Sequence, residues 1–200
     1  MRTIAIVAGG DSPEYEISVK SAGEVYKVLS AVYSAYIIMI RGFDWYWEDS
    51  RGRCHIVDKN DFALRLDDRK IRFDAVFIAI HGSPGENGLL QGYFDMMRIP
   101  YTSCSAFCSA LTFNKQACKL YLKEYGIPMA KTVICESFNE LDAIARDVTF
   151  PVVMKILSPD ILHKTDAGAV ILGISSLDGM SKAYQTILMN VTTNCPEALI

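Results

Sequence analysis

Residues 81–102, HGSPGENGLLQGYFDMMRIPYT, combine a glycine-rich loop, the start of a helix and a short strand. The apolar run before it, residues 75–80, is typical of a buried parallel strand, and residues 89–97 are typical of a helix. Gly82, Gly85 and Gly88 allow the backbone to approach a ligand closely, and a helix N-terminus favours anions. On its own, this arrangement is a weak indication of function.

The rest of the chain alternates predicted strands and helices, which is typical of an α/β fold with a largely parallel sheet. A polar, aromatic section with alternating side chains, residues 43–57, predicts a β-hairpin inserted before strand 75–80. The other predicted strands are 3–8, 34–40, 130–135, 151–157 and 169–174. The predicted helices are 17–30, 88–98, 104–112, 115–125, 138–147 and 177–190.

Composition restricts the class of protein. A chain of 200 residues that is 50% hydrophobic and 22% charged is long enough for one large or two small domains. The net charge of −3 argues against a nucleic-acid partner that needs a basic surface. No apolar run reaches the roughly 18 residues of a membrane span, and the N-terminus does not resemble a signal peptide. These features predict a cytoplasmic protein without a membrane or nucleic-acid partner.

The six cysteines show neither a CxxC pair nor a zinc-like spacing with histidine. We therefore expect reduced, mostly buried thiols rather than disulfides or metal ligands. Cys104 and Cys108 are four residues apart on a predicted helix, which is more often the spacing of core residues than of metal ligands.

The motifs HG, GENG, QG and IPYT in residues 81–102 together resemble the D-alanine–D-alanine ligase family. The resemblance extends to GGDSPEYEIS at residues 9–18 and to FNKQACK at residues 113–119, where Asn114 replaces the usual aspartate, and it covers about residues 1–133. It implies that Glu14 binds the ammonium of the first D-alanine, a role that suits a carboxylate. It also implies that Ser18 belongs to the same network and that His81 lies over the nascent dipeptide. Without the resemblance, Ser12 and Glu14 would be interpreted as caps of the helix that follows them.

The segment FPVVMKILSPDILHKTDAG, residues 150–168, instead resembles the ATP-grasp domain of ADP-forming acyl-CoA synthetases. The Gly-Ser-Ser-x-Gly loop of a D-alanine ligase does not follow the lysine, and Ala169 stands where the synthetases usually have a second glycine. Both families place an ATP-binding lysine on this strand, so both resemblances imply that Lys155 contacts phosphates. The ligase resemblance also implies that Lys115 contacts phosphates. The synthetase resemblance makes His163 a phosphoryl acceptor. The alternative is that His163 belongs to a solvated loop.

Together the two resemblances predict an α/β hybrid. An N-terminal pre-ATP-grasp domain with a parallel sheet, residues 1–105, precedes the small α+β lobe of an ATP-grasp domain, residues 106–200, and the large lobe is missing. The implied function is ATP-dependent D-alanine–D-alanine ligation through an acyl phosphate, with ATP and D-alanine as ligands. We expect the Mg²⁺ ligands to lie outside this chain. The chain by itself would then be inactive.

Two other functions stay open at this point, a fragment of an ADP-forming acyl-CoA synthetase and a non-catalytic nucleotide-binding module. The partner also stays open: it is a second copy in a homodimer, or a missing C-terminal lobe or subunit.

Overall fold

A computed structural model describes residues 1–66, 69–158, 160–161 and 164–198. The chain forms two compact units, Met1–Met129 and Ala130–Ile200. The first unit extends beyond the predicted boundary at residue 105, because helix α3 (Ala106–Phe113) packs against the segment that starts helix α2 (Leu89–Met97). A Cβ on Gly88 would lie 2.6 Å from the carbonyl oxygen of Ala106. The division into family modules at residues 105 and 106 stays a prediction.

The first unit contains one seven-stranded sheet in the order β6-β5-β4-β3-β2-β1-β7. Strand β1 is parallel to both of its neighbours, β2 and β7, whereas every pairing from β2 to β6 is antiparallel. The strands are β1 (Thr3–Gly9), β2 (Ser34–Arg41), β3 (Asp44–Glu48), β4 (Cys54–Asp58), β5 (Ala63–Leu66), β6 (Arg69–Arg72) and β7 (Ala75–Ile78).

The α/β class and the β3–β4 hairpin are confirmed, but the sheet is mixed rather than largely parallel. The difference comes from the four antiparallel strands β3 to β6, of which β5 and β6 were not predicted. These two strands are short and carry several charged side chains, so they lack the apolar run that marks a buried strand.

Helices cover both faces of the parallel part of the sheet. Helix α1 (Tyr15–Leu29) packs its Ala22 against Ile6 and Ala8 of β1. Helix α2 packs its Phe94 into a second cluster, which includes Val7 of the same strand. Because successive side chains of a strand point to opposite faces, β1 is buried on both sides, as a central parallel strand should be.

The chain after α2 runs back along the edge of the sheet. Tyr101 bridges to Val76 of β7 in parallel, and the Ile78 N–H donates to Thr102 Oγ1 at 3.0 Å. Helix α3 and helix α4 (Lys115–Glu124) follow, separated by the extended residue Asn114. The IPYT motif therefore returns the chain to the carboxyl end of β7.

The second unit packs two helices on a two-stranded antiparallel sheet. A 3₁₀ helix (Phe138–Glu140) leads into α5 (Leu141–Asp147), and β8 (Val152–Lys155) pairs with β9 (Val170–Ile174), which α6 (Leu177–Asn194) follows. Leu141 of α5 and Met180 of α6 share one core. No helix in the described part of the chain combines the length and the apolar character of a membrane span.

The predicted strand at residues 130–135 is wrong. In the described residues β8 and β9 pair only with each other, and residues 130–135 carry no strand. The segment is held partly by Lys131, whose Nζ donates to the carboxylate of Asp147 at 2.6 Å. The segment contains the β-branched residues Thr132, Val133 and Ile134, which favour a strand, but it joins no sheet in the described part of the chain.

Candidate functional site

Two loops meet at the carboxyl ends of β1 and β7. Because these strands are parallel neighbours, the loops that follow them emerge at the same edge of the sheet, where α/β proteins commonly bind ligands. The Asp11 N–H donates to the carbonyl oxygen of Ser83 at 2.9 Å, and Ser12 Oγ donates to that of His81 at 2.7 Å. Both motifs of the family resemblance thus form one hydrogen-bonded structure.

The close approach of the two loops depends on Gly10. Its φ is +93°, and a Cβ there would lie 2.5 Å from Ile80 Cγ2 and 2.9 Å from the carbonyl oxygen of Ser83. Real Cβ atoms do not approach other atoms so closely, and L side chains rarely adopt this φ. A glycine is therefore required where the first loop passes the second.

Ser18 lies beneath the first loop. Its side chain is fully buried, and its Oγ accepts a hydrogen bond of 2.8 Å from the N–H of Gly9. This bond satisfies a backbone donor that leaves the sheet at the end of β1. The structure therefore shows Ser18 supporting the loop, and its part in a substrate network stays a prediction.

Glu14 occupies the N-cap position of α1, yet its side chain makes no capping hydrogen bond. Ser12 Oγ accepts a hydrogen bond from the Glu14 N–H at 3.2 Å, which fixes the backbone just before the helix. The Glu14 carboxylate is half-buried, and it forms no ion pair or hydrogen bond with any of the residues that the structure describes. It is thus uncommitted, at a helix N-terminus that stabilises negative charge.

A cavity of about 470 Å³ lies beside the carboxyl end of β7. Of the three predicted catalytic residues, His81 lines this cavity, whereas Glu14 and Ser18 do not. The first loop lines a smaller cavity of about 260 Å³, together with Tyr15 and Arg41. The polar residues around the larger cavity are Ser21, His81, Glu86, Thr102 and Ser103.

Gln91 holds the wall of the larger cavity, a role that the sequence did not reveal. Its side chain is fully buried, and its Nε2 donates to the carbonyl oxygen of Gly85 at 2.6 Å and to Ser103 Oγ at 3.2 Å. Both acceptors line the cavity. One indication was available, because Gln91 lies between Leu90 and Phe94, the buried apolar residues of an amphipathic helix. A polar side chain buried there is expected to have hydrogen-bond partners.

The two predicted phosphate-binding lysines lie in different units. Lys115 is exposed at the first position of α4, where Asn114 Oδ1 accepts from the Ala117 N–H at 3.0 Å. Asparagine thus caps this helix as well as the usual aspartate would. Lys155 is exposed at the end of β8, opposite Val170 of β9. Neither lysine forms an ion pair within the described residues, so both ammonium groups are available to an anion.

The predicted phosphoryl acceptor His163 lies outside the described residues. Nearby, Gly168 has a φ of +64°, and its carbonyl oxygen accepts from Asn190 Nδ2 of α6 at 2.9 Å. Ala169 is fully buried in the core of the second unit. The methyl group that replaces the usual glycine hydrogen therefore contributes to packing.

A magnesium site is not evident. The residues that the structure describes contain no group of three or more His, Cys, Asp or Glu side chains able to hold a metal ion. Carboxylate and other oxygen ligands are what Mg²⁺ requires. That the Mg²⁺ ligands lie outside this chain stays a prediction.

Two protein-family models match this chain. A family model described as the D-alanine–D-alanine ligase N-terminus matches residues 3–104, and one described as an ATP-grasp domain matches residues 110–200. The D-alanine–D-alanine ligase of Bacteroides thetaiotaomicron is 46% identical over 134 residues, which are 66% of this chain and 41% of the relative.

Solved structures give similar results. The VanG D-Ala:D-Ser ligase of Enterococcus faecalis matches with a TM-score of 0.67 and 26% identity, over 94% of this chain and 60% of its own. An acetyl-coenzyme A synthetase of Ca. Korarchaeum cryptofilum is 38% identical and covers 42% of this chain and 37% of its own, but its TM-score of 0.39 supports no structural conclusion.

The chain spans only part of its relatives, between 40% and 53% of the length of the curated ligases that it matches. Its N-terminal half nevertheless matches the ligase model from β1 to the residues after IPYT, which include the two joined loops. The chain therefore belongs to the D-alanine–D-alanine ligase family.

Proposed function

We propose that this chain provides the site for the first D-alanine, and part of the ATP site, of a cytoplasmic D-alanine–D-alanine ligase. The observation that carries the proposal is the uncommitted carboxylate of Glu14, which follows a loop hydrogen-bonded to the His81 segment. A half-buried carboxylate without a partner is suited to an ammonium ion, because a charge-assisted hydrogen bond would compensate its partial desolvation.

In the proposed reaction, ATP phosphorylates the carboxylate of the first D-alanine, and the amine of the second attacks the resulting acyl phosphate. The part of this chain is to bind and orient the reactants. Glu14 holds the first ammonium group, Ser18 fixes the loop that carries Glu14, and His81 lies over the new peptide bond. Fixing reactants in this way supplies much of the rate of such reactions.

Lys115 and Lys155 are each proposed to contact a phosphate of ATP. Each extends an exposed ammonium from the end of a regular element, and an ammonium ion is suited to the negative charge of a phosphate. Bound Mg²⁺ would neutralise charge between the phosphates, and we expect its ligands outside this chain. No step of the proposed role depends on that metal.

The proposal is tested by replacing Glu14 with glutamine. The amide keeps the size of the side chain but loses the charge, so we expect D-alanine affinity to fall by on the order of 1.5–3 kcal/mol. Titration followed by NMR measures both affinities. Glu24→Gln, on the exposed surface of α1, is the matched control and should bind as the wild type does. Equal binding by the Glu14 variant would remove Glu14 from the site.

The proposed ATP contact has its own test. Lys155→Ala should weaken ATP binding by on the order of 1.5–3 kcal/mol, because one charge-assisted contact is lost. Calorimetric titration of ATP into both proteins measures the difference. Lys182→Ala, in the same unit but paired with Asp178 on α6, should leave the affinity unchanged. If both alanine variants bind ATP like the wild type, Lys155 does not contact phosphate.

A further inference from the structure

Two asparagines of α6 hold the end of the connection between β8 and β9. Asn190 Nδ2 donates to the carbonyl oxygen of Gly168 at 2.9 Å, and Asn194 Nδ2 donates to that of Ala167 at 3.3 Å. Residues four apart lie on the same face of a helix, so the two amides reach successive carbonyl groups of the connection. The proposed function gives neither asparagine a role.

The carbonyl groups belong to a turn at residues 165–168. The Gly168 N–H donates to the Thr165 carbonyl oxygen at 3.0 Å, and the Ala169 N–H donates to that of Lys164 at 2.8 Å. Gly168 has a φ of +64°, and a Cβ there would lie 2.7 Å from Asn190 Nδ2. A side chain at residue 168 would therefore displace the Asn190 amide.

The turn leads directly to the strand end that carries Lys155. The Ile156 N–H donates to the Ala169 carbonyl oxygen at 3.0 Å, and Val170 is opposite Lys155 in the antiparallel pair. Within the described residues β8 and β9 pair only with each other, and two strands alone are marginally stable. The position of Lys155 therefore depends on what holds residues 167–170.

Packing alone does not fix this segment. Ala167 and Ala169 pack with Ile187 and Val191 of α6 in one core cluster. Apolar contacts of this kind are not directional, so they bring the segment to the helix without setting the direction of its carbonyl groups. Hydrogen bonds have a preferred distance and angle, and the two amides supply them at this point.

We propose that Asn190 and Asn194 are positioning residues of the ATP site, which fix Lys155 through the turn at residues 165–168. The inference rests on the proposed contact between Lys155 and phosphate. Asn190 has the larger part, because its hydrogen bond is the shorter one and its side chain is half-buried, whereas Asn194 is exposed. Both asparagines act through Lys155 and not by touching the nucleotide.

The test is a double-mutant cycle on ATP affinity, measured by calorimetric titration of the 200-residue chain. Asn190→Leu keeps the size of the side chain but loses the donor, so we expect ATP affinity to fall by about threefold to tenfold. In a chain that already carries Lys155→Ala, the same change should have no further effect. Thr193→Val is the matched control and should bind as the wild type does, because the Thr193 hydroxyl donates to the Met189 carbonyl oxygen within α6.

A second measurement follows the turn without any ligand. Asn190→Leu should speed hydrogen exchange at the amides of Gly168 and Ala169 by about threefold to tenfold, while amides in the middle of α6 exchange as in the wild type. A merely structural role would speed exchange throughout the second unit. Unchanged exchange at both amides would show that Asn190 does not hold the turn, and would overturn the proposal.

The packing of α6 has its own control at Cys195, the C-cap residue of that helix. All six cysteines are free and at least partly exposed, which corrects the sequence-based expectation of mostly buried thiols. The rate at which iodoacetamide alkylates Cys195 can therefore be followed by mass spectrometry. An equal rate in Asn190→Leu and the wild type would show that the end of the helix keeps its packing.

The outcomes separate the two proposals. A loss of ATP affinity in Lys155→Ala without one in Asn190→Leu overturns the positioning role alone, as does an equal loss from Asn190→Leu with and without Lys155. Wild-type affinity in Lys155→Ala overturns the phosphate contact, and the positioning role with it. If Asn190→Leu does not fold, Gly168→Ala takes its place in the cycle, because its Cβ would displace the Asn190 amide.

Discussion

Gly10→Ala should destabilise the first unit by about 2–5 kcal/mol. The alanine would adopt a left-handed backbone conformation that costs roughly 1–2 kcal/mol. Its Cβ would also meet Ile80 Cγ2 at 2.5 Å and the Ser83 carbonyl oxygen at 2.9 Å, and overpacking adds about 1–3 kcal/mol. Urea unfolding followed by tryptophan fluorescence measures the loss, since Trp45 and Trp47, the two tryptophans of the chain, both lie in this unit.

A matched control separates the energy of the steric clash from the energy of the unfavourable backbone conformation. Gly52 has a φ of +75°, but nothing lies within 4 Å of the Cβ that it would carry. Gly52→Ala should therefore lose only the roughly 1–2 kcal/mol of the backbone term. Equal losses for the two variants would show that the two loops do not approach each other at Gly10 as the structure has them. The Gly10 variant should also bind D-alanine more weakly, because the loop before Glu14 would shift.

The elements predicted well are those with an apolar pattern of their own. The strands β1 and β7 are recognisable as short apolar runs, and the helices α1 and α2 are recognisable because their buried faces repeat with the helix period. Strands β5 and β6 were missed because antiparallel strands this short and charged depend on their neighbours for stability. The predicted strand at residues 130–135 is wrong for the opposite reason, because it contains β-branched and apolar residues but joins no sheet in the described part of the chain.

The roles of the candidate site residues stay predictions, and the hydrogen bonds that join their loops could not be predicted from the sequence. Glu14 and His81 are proposed from motifs. No local pattern indicates that Ser12, between Gly10 and Glu14, donates to the His81 carbonyl oxygen across 69 positions. Such contacts depend on the order of strands in the sheet, which local patterns do not contain. The burial of Gln91 likewise depends on which face α2 presents to the sheet.

Phe94→Ala should have the largest effect on the stability of the first unit. Phe94 is fully buried, and its ring lies 4.9 Å from that of Phe62 and 5.3 Å from that of Tyr93, measured between centroids. Removing a buried phenylalanine costs about 3–5 kcal/mol, because the transfer energy is lost and a cavity remains. Tryptophan fluorescence is again the measurement, since Trp45 contacts both Phe62 and Tyr93.

Phe43→Ala is the control, because the Phe43 side chain is 91% exposed and its loss should change stability by no more than about 0.5 kcal/mol.

The same comparison tests how the wall of the larger cavity is supported. Phe94 and Gln91 are on the same helix, three residues apart, so a cavity under Phe94 should loosen the hold of Gln91 on Gly85 and Ser103. Hydrogen exchange at the amides of residues 82–88 should therefore speed up in Phe94→Ala beyond what global unfolding explains. Unchanged local protection would mean that Gln91 holds the cavity wall without help from the aromatic core.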